Sequence, residues 1–299
     1  MLDYTSLFAL AAVVREGSFE RAARALHVTP SAVSQRIRLL EERVGGALVV
    51  RGQPCLPTEL GRRLCQHVDR VRLLEHELRD ELPGGEAEPA RVSVPVAVNA
   101  DSLATWFMPA LNAFATEAPV LLQLAVDDEG HTADWLRRGQ VVAAVTADAS
   151  PVAGCNTLCL GAMPYLAVAS PAFVQRWFPD GVTPQALAAA PSLAFNAKDH
   201  LQQRWAQRQT GQAVPLACHA IPSSQAFVSA TLAGLGWALN PQALVADQVA
   251  QGRLVELVPN TPLAVPLYWQ QARVVSALLM GLTRQVVAQA QIALQPLAA

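Results

Sequence analysis

Apolar residues recur at helical spacing from Tyr4 to Glu16, with Leu7, Phe8, Leu10, Ala11 and Val14 on the repeating side. Two further helical runs follow, about Phe19 to Leu26 and from Pro30 to Gly45-Gly46, separated by His27-Val28-Thr29. In the second run Val33, Ile37, Leu40 and Val44 share one narrow side, while Ser31, Ser34, Gln35 and Arg38 share the other. Thr29 is placed to cap that helix, and Pro30 stands at its first position, where proline is tolerated. Short helix, turn, second helix is the grammar of a helix-turn-helix, packed on the first helix as a three-helix head. Two short apolar runs, Ala47–Val50 and Leu56–Thr58, flank Arg51 and predict a small wing.

A long helix is predicted from Thr58 to about Leu82. Leu60, Leu64, His67, Val71, Leu74 and Leu78 are spaced 4-3-4-3-4 along it, a heptad seam with one polar position. Such a seam pairs with a second helix or packs against its own chain. Pro83–Pro89 reads as a hinge. Beyond it strands alternate with helices: strands at Arg91–Val98, Leu121–Val126, Val141–Thr146, Tyr165–Ala169, Ser192–Phe195, Trp237–Leu239, Leu254–Leu257 and Leu267–Trp269, and a last helix at about Val274–Leu294. This alternation predicts an α/β body built on a parallel sheet with crossover helices.

Charge sharpens the division. The 299 residues carry a formal net charge of −2. Residues 1–63 hold nine arginines against six acids, an excess of +3, which leaves −5 for the remainder. A basic head on an acidic body suits a module for double-stranded DNA joined to another function. On the exposed side of the second helix, small hydroxyls, an amide and a guanidinium can reach base edges or phosphates in a major groove. Thr29, Pro30, Ser31, Ser34, Gln35 and Arg38 form the candidate base-reading set, and Arg51 in the wing is a candidate phosphate contact.

Asp3, Arg15 and Glu16 interrupt any leader-like apolar run, and proline and glycine break the two long uncharged stretches, 149–175 and 220–246. The five cysteines show no zinc spacing, so reduced thiols in a cytoplasmic protein are expected. No G-x-S-x-G elbow, phosphate loop, H-E-x-x-H or G-x-G-x-x-G after a strand is present, so no enzyme chemistry, metal or cofactor is expected.

In open α/β sheets ligands sit beyond the carboxyl ends of the strands. Those ends carry Asn99, Asp101 and Ser102, then Asp127 and Asp128, then Thr146, and in the later half Asp199, Ser223 and Ser224. Serines at helix starts suit a carboxylate, with Ser102 first and Ser224 second; the aspartates suit cations. Asp127 or Asp128 would take an amine, and Asp199 a side-chain cation from the opposite side. Each serine can equally be a plain cap, and each aspartate a solvated strand end.

Ala22-Ala23, Leu26, the run Thr29 to Gln35, Ile37, Leu40-Glu41, Gly45, Leu48, Arg51 and Thr58-x-x-Gly61 resemble the N-terminal signature of the LysR-type transcriptional regulators. The resemblance spans the chain. It implies a winged helix-turn-helix over 1–58, a dimerising linker helix over 59–83, a hinge over 84–90 and a periplasmic-binding-protein-like effector domain over 91–299. Lobe I of that domain would comprise 91–163 and 267–299, lobe II 164–266, with crossings near Met163 and Pro266. Leu60, Leu64, Val71, Leu74 and Leu78 become the dimer contacts, and RNA polymerase and a homodimer or dimer of dimers become the implied partners. Residues 97–106, Ala143-Ala144-Val145, Pro171-Ala172-Phe173 and Leu267-Tyr268-Trp269 are similar to the ArgP- and LysG-like branch, which implies lysine or arginine as effector and activation of a basic amino-acid exporter gene. The same fold with another effector, an amino-acid-binding transport protein and a less specific nucleoid-associated protein are the competing readings.

Overall fold

The structure, a computed structural model, describes residues 3–81, 92–117, 120–273 and 277–297. It divides into two compact units, 1–93 and 94–299.

In the first unit, α1 (Tyr4–Glu16), α2 (Phe19–Ala25) and α3 (Pro30–Val44) form the three-helix head, and β1 (Val49–Val50) pairs antiparallel with β2 (Leu56–Pro57) as the wing. The Asp3 carboxylate accepts from the amides of Thr5 and Ser6 and caps α1; the Thr29 hydroxyl accepts from the Ala32 amide and caps α3. Both helices stop at glycines in the left-handed region, Gly17 and Gly45. Leu7, Leu10, Val33, Ile37, Leu40 and Leu48 are fully or almost fully buried. Each such side chain contributes about 1.5–3 kcal/mol.

Helix α4 (Glu59–Glu81) begins on this core. Val68 is fully buried in it, Leu64 and Cys65 pack against it, and the Arg72 guanidinium lies over the Phe8 ring at 5.2 Å. Burial pushes the Cys65 thiol up to about 12. The expected seam is therefore divided. Leu64 faces the head, and His67 sits against Tyr4, ring centroids 6.0 Å apart. Leu60 and Leu74 stay exposed and Val71 half-buried. The physical reason is that α4 carries two stripes one residue apart, and 61-65-68-72 belongs to its own head. Leu78 lies in the helix with its side chain outside the described residues, as does the hinge over 84–90.

The second unit opens with β3 (Val92–Asn99), followed by α5 (Ala100–Ser102), a π-helical turn (Leu103–Phe107) and α6 (Met108–Glu117) in one continuous helical run. Then come β4 (Val120–Asp127), α7 (Thr132–Arg137), β5 (Ala143–Thr146) and β6 (Cys155–Ala169). Lobe II adds α8 (Pro171–Trp177), α9 (Pro184–Ala189), β7 (Ser192–Ala194), α10 (Leu201–Thr210), β8 (Cys218–Ala220), α11 (Ser224–Leu232), β9 (Ala238–Pro241), α12 (Gln242–Ala250) and β10 (Val255–Glu256). The chain returns through β11 (Leu263–Ala272) to α13 (Ala277–Ala293).

The sheet order is β10-β6-β11-β5-β3-β4, with β9 also on β6. β3 and β5 are parallel, as are β7 and β8, but β6 pairs antiparallel with β9, β10 and β11, and β11 with β5. The expectation of a parallel sheet is thus corrected to a mixed one. The long strands β6 and β11 run through both lobes, paired from Leu263 opposite Tyr165 to Ala272 opposite Cys155 with a one-residue register shift between Leu267 and Tyr268. Val265 stands opposite Met163 and Pro266 opposite Ala162. The first two-thirds of β6 went unread, because that glycine-interrupted run, part exposed and part buried, shows no clean alternation. Each lobe has an aromatic centre: Phe107 beside Trp269 at 6.2 Å, and Trp205 beside Trp237 at 5.4 Å.

Candidate functional site

The outer face of α3 carries Thr29, Pro30, Ser31, Gln35 and Arg38 exposed, with Ser34 half-buried between them. The Thr29 hydroxyl also lies 3.0 Å from that of Ser31. Among the described residues Arg38 pairs only with Glu42 on its own helix, at 3.0 Å, and its side chain is 77% exposed. Surface pairs of this kind contribute little, so its guanidinium is available to a partner. Arg51 lies 5.3 Å above the Phe19 ring, which holds the wing arginine close to the helix-turn-helix.

The second site is a crevice between the lobes of the body. The end of β3 and the helix start after it supply Asn99, Ala100 and Asp101; the end of β4 supplies Asp127, Asp128 and Glu129. From lobe II come Phe195, Asp199, Leu201, Ser224, Phe227 and Leu239. The space left among these side chains is about 30 Å³, far below the ~300–1,000 Å³ of a ligand-sized pocket.

Asp101 joins the two sides. One oxygen accepts from the Ser224 hydroxyl at 2.7 Å, the other from the Tyr165 hydroxyl at 2.8 Å. Burial raises the pKa of both Asp101 and Tyr165. Burial, reinforced by Asp128, Asp199 and Asp101, pushes the Glu129 carboxyl up to about 8. Asp127 behaves differently. Burial opposes its ionisation, but hydrogen bonds from the Asp128 amide and the Trp135 indole outweigh it, and Lys198 adds to them, so its carboxyl is held below the usual range. The Asn99 side-chain oxygen is buried and finds no hydrogen-bond partner among the described residues. An orphaned acceptor beside five carboxyl groups, walled by Phe227 and Leu239, is a place for a cation on an aliphatic stem.

Of the residues expected here, Asn99, Asp101, Asp127, Asp128, Asp199 and Ser224 line the crevice. Three do not. Ser102 is fully buried and accepts from the Trp106 indole at 3.1 Å, because its position in the first helical turn faces the lobe core. Thr146 is fully buried and bonds to the Glu129 carbonyl, bracing one strand end against another. Ser223 caps α11 through the Ala226 amide. Asp199 lines the crevice, yet its two oxygens accept from the Phe195 and Leu201 amides at 2.8 and 3.0 Å. Those bonds make it an anchor of the 195–201 loop, a part its sequence position did not suggest. Glu129, Tyr165 and the apolar wall were missed. Glu129 stood in the acidic run after β4, whereas the wall residues read as ordinary core.

Comparisons with known proteins agree with this layout. Residues 4–62 match the model of the bacterial regulatory helix-turn-helix protein, lysR family, and residues 87–291 match the LysR substrate binding domain. The HTH-type transcriptional regulator ArgP of Pseudomonas aeruginosa UCBPP-PA14 is 47% identical over 290 residues, 97% of this chain and 96% of the relative. The crystal structure of ArgP from Mycobacterium tuberculosis superposes with a TM-score of 0.83 at 42% identity, covering 99% of this chain and 100% of that one. Full-length LysG from Corynebacterium glutamicum with bound effector Arg gives a TM-score of 0.71 at 39% identity, with the same coverage.

Proposed function

This chain belongs to the LysR family of DNA-binding transcriptional regulators, and from that premise we propose that its body senses arginine or lysine and its head activates a gene for exporting them. The family is one of regulators, not enzymes. The observation that carries the effector reading is the closed crevice of five carboxyl groups with an unpartnered Asn99 oxygen. Burying that much negative charge without a cation is costly, and Glu129 responds by holding its proton. The apolar wall suits a methylene stem, and the helical turn that starts after Asn99, whose side chain makes no cap, offers first-turn amides that suit an α-carboxylate. The LysG relative with bound arginine supports the same class of ligand.

The effector would open the lobes, enter and close them on itself, shifting the balance of two body conformations. Leu60, Val71 and Leu74 on α4 form the face offered to a second copy, giving a homodimer, with RNA polymerase as the partner at the promoter. No described helix is long and apolar enough to cross a membrane; the cytoplasm is the compartment where such a regulator meets its operator.

Calorimetry with arginine and lysine across pH tests the effector reading. Glu129 ionises near pH 8 in the empty crevice, and a bound cation lowers that value. Binding therefore releases a proton, and affinity should rise between about pH 6 and 8, by up to about tenfold per unit. Affinity unchanged across that range would contradict it, as would absence of heat with either amino acid.

The head gives a second test. Gln35→Ala and Arg38→Ala should each cost about 1–3 kcal/mol of specific operator binding, as expected for a lost bidentate base contact. Arg51→Ala should instead weaken all sequences alike and flatten the salt dependence by about one phosphate. Wild-type affinity and salt slope in all three variants would remove α3 and the wing from the interface.

A further inference from the structure

Lys198 is the single lysine of the chain, and it stands at this crevice. Its ammonium lies 3.9 Å from the Asp127 carboxylate, so a side chain of lobe II reaches a strand end of lobe I. The loop that carries it is held on both sides: the Lys198 amide donates to Asn196 Oδ1 at 2.7 Å, and the Asp199 carboxylate fastens the Phe195 and Leu201 amides. The stem therefore starts from a set place. The Lys198 side chain is 53% exposed, so the ammonium can swing into water at small cost. Asp127 itself is 24% exposed at the mouth, where its oxygens also accept from the Asp128 amide and the Trp135 indole; Asp128 lies deeper and accepts from the Gly130 amide beside the His131 ring.

We propose that Lys198 is a tethered cation that holds Asp127 in the effector-free protein, so that arginine or lysine must displace it, and that it thereby sets the effector threshold. This rests on the effector reading above. The ligand's cation and the Lys198 ammonium are the same kind of charge competing for the same carboxylate. The tethered one needs no entropy of capture, whereas the free one gains a closed crevice. A half-exposed pair at this distance corresponds to a modest opposing free energy, so its loss should tighten binding about two- to fivefold.

The measurement is calorimetry of the full chain with arginine and with lysine, on wild type, Lys198→Met, Lys198→Gln and Lys198→Arg, each also combined with Asp127→Asn. Lys198→Met and Lys198→Gln should bind both ligands more tightly, and Lys198→Arg should stay near wild type. In the Asp127→Asn background the Lys198→Met gain should vanish. Weaker binding by Lys198→Met would make the ammonium a ligand contact, and equal binding would make it a bystander; either overturns the proposal. A gain that survives Asp127→Asn would reduce it to a general field effect and overturn the pairing. Wild type that binds neither amino acid would remove the effector reading and this inference with it, whereas binding with unaltered variants would remove the inference alone.

Discussion

Gly61→Ala should loosen the DNA-reading head by roughly 2–4 kcal/mol and abolish tight operator binding, although alanine is ordinarily the better helix former by about 1 kcal/mol. A Cβ at Gly61 would lie 2.0 Å from the Leu48 carbonyl oxygen and 2.9 Å from its carbon. Those atoms cannot retreat. The Leu48 carbonyl accepts from the Thr58 amide at 3.0 Å, and the Leu48 amide donates to Glu41 at 2.8 Å, which ties the wing to the end of α3. The Thr58 hydroxyl donates to the Ala47 carbonyl at 2.7 Å and accepts from the Gly61 amide at 3.1 Å. One threonine thus caps α4 and clamps the wing, and the glycine three residues on lets the helix lie against the strand. Gly46→Ala is the control, since its Cβ would meet only the Leu60 side chain at 3.6 Å, an ordinary contact. Hydrogen exchange of the α3 amides and operator titration report the result. Wild-type protection and affinity in Gly61→Ala would show that the wing can shift aside.

Asp101→Asn should weaken binding of arginine and lysine by roughly 10- to 150-fold, the value of one charge-assisted bond in a dry site. The carboxyl is deeply set and takes hydrogen bonds from Ser224 and Tyr165 on its two oxygens. The amide would turn one acceptor into a donor facing a hydroxyl and would remove a negative charge next to the cation. Norleucine, which lacks the side-chain cation, should lose less. Asp199→Asn should behave differently. Its oxygens hold backbone amides of the 195–201 loop, so charged and uncharged ligands should lose alike. Calorimetry with the three ligands on both variants separates the two aspartates. Equal losses for all ligands in Asp101→Asn would give it a purely structural part in joining the lobes.

Much of this protein was determined locally and was legible as such. Thr29 starts α3 by accepting from the Ala32 amide three residues on, Pro30 suits its first position, and Gly45 ends α3 where an L side chain resists the left-handed conformation. The recognition face followed from periodicity, because α3 buries Val33, Ile37 and Leu40 and must leave Gln35 and Arg38 in solvent. The strand ends gave the crevice for a similar reason: in α/β topology those ends converge whatever the detail of the packing.

Rotation and pairing are what only the tertiary structure decided. Whether a serine after a strand faces a ligand or a tryptophan depends on about 100° of turn, and Ser102 fell on the Trp106 side while Asp101 fell in the crevice. The heptad on α4 runs beside a second stripe, and only packing could assign Leu64 and Val68 to the head and leave Leu74 outside. Asp199 and Asp127 are the same residue at similar strand ends. One is spent on its own loop and the other is left to a lysine 71 positions on from it. The Asp199 bonds are local, whereas the Asp127–Lys198 pair joins residues far apart in the chain, and no local period encodes it.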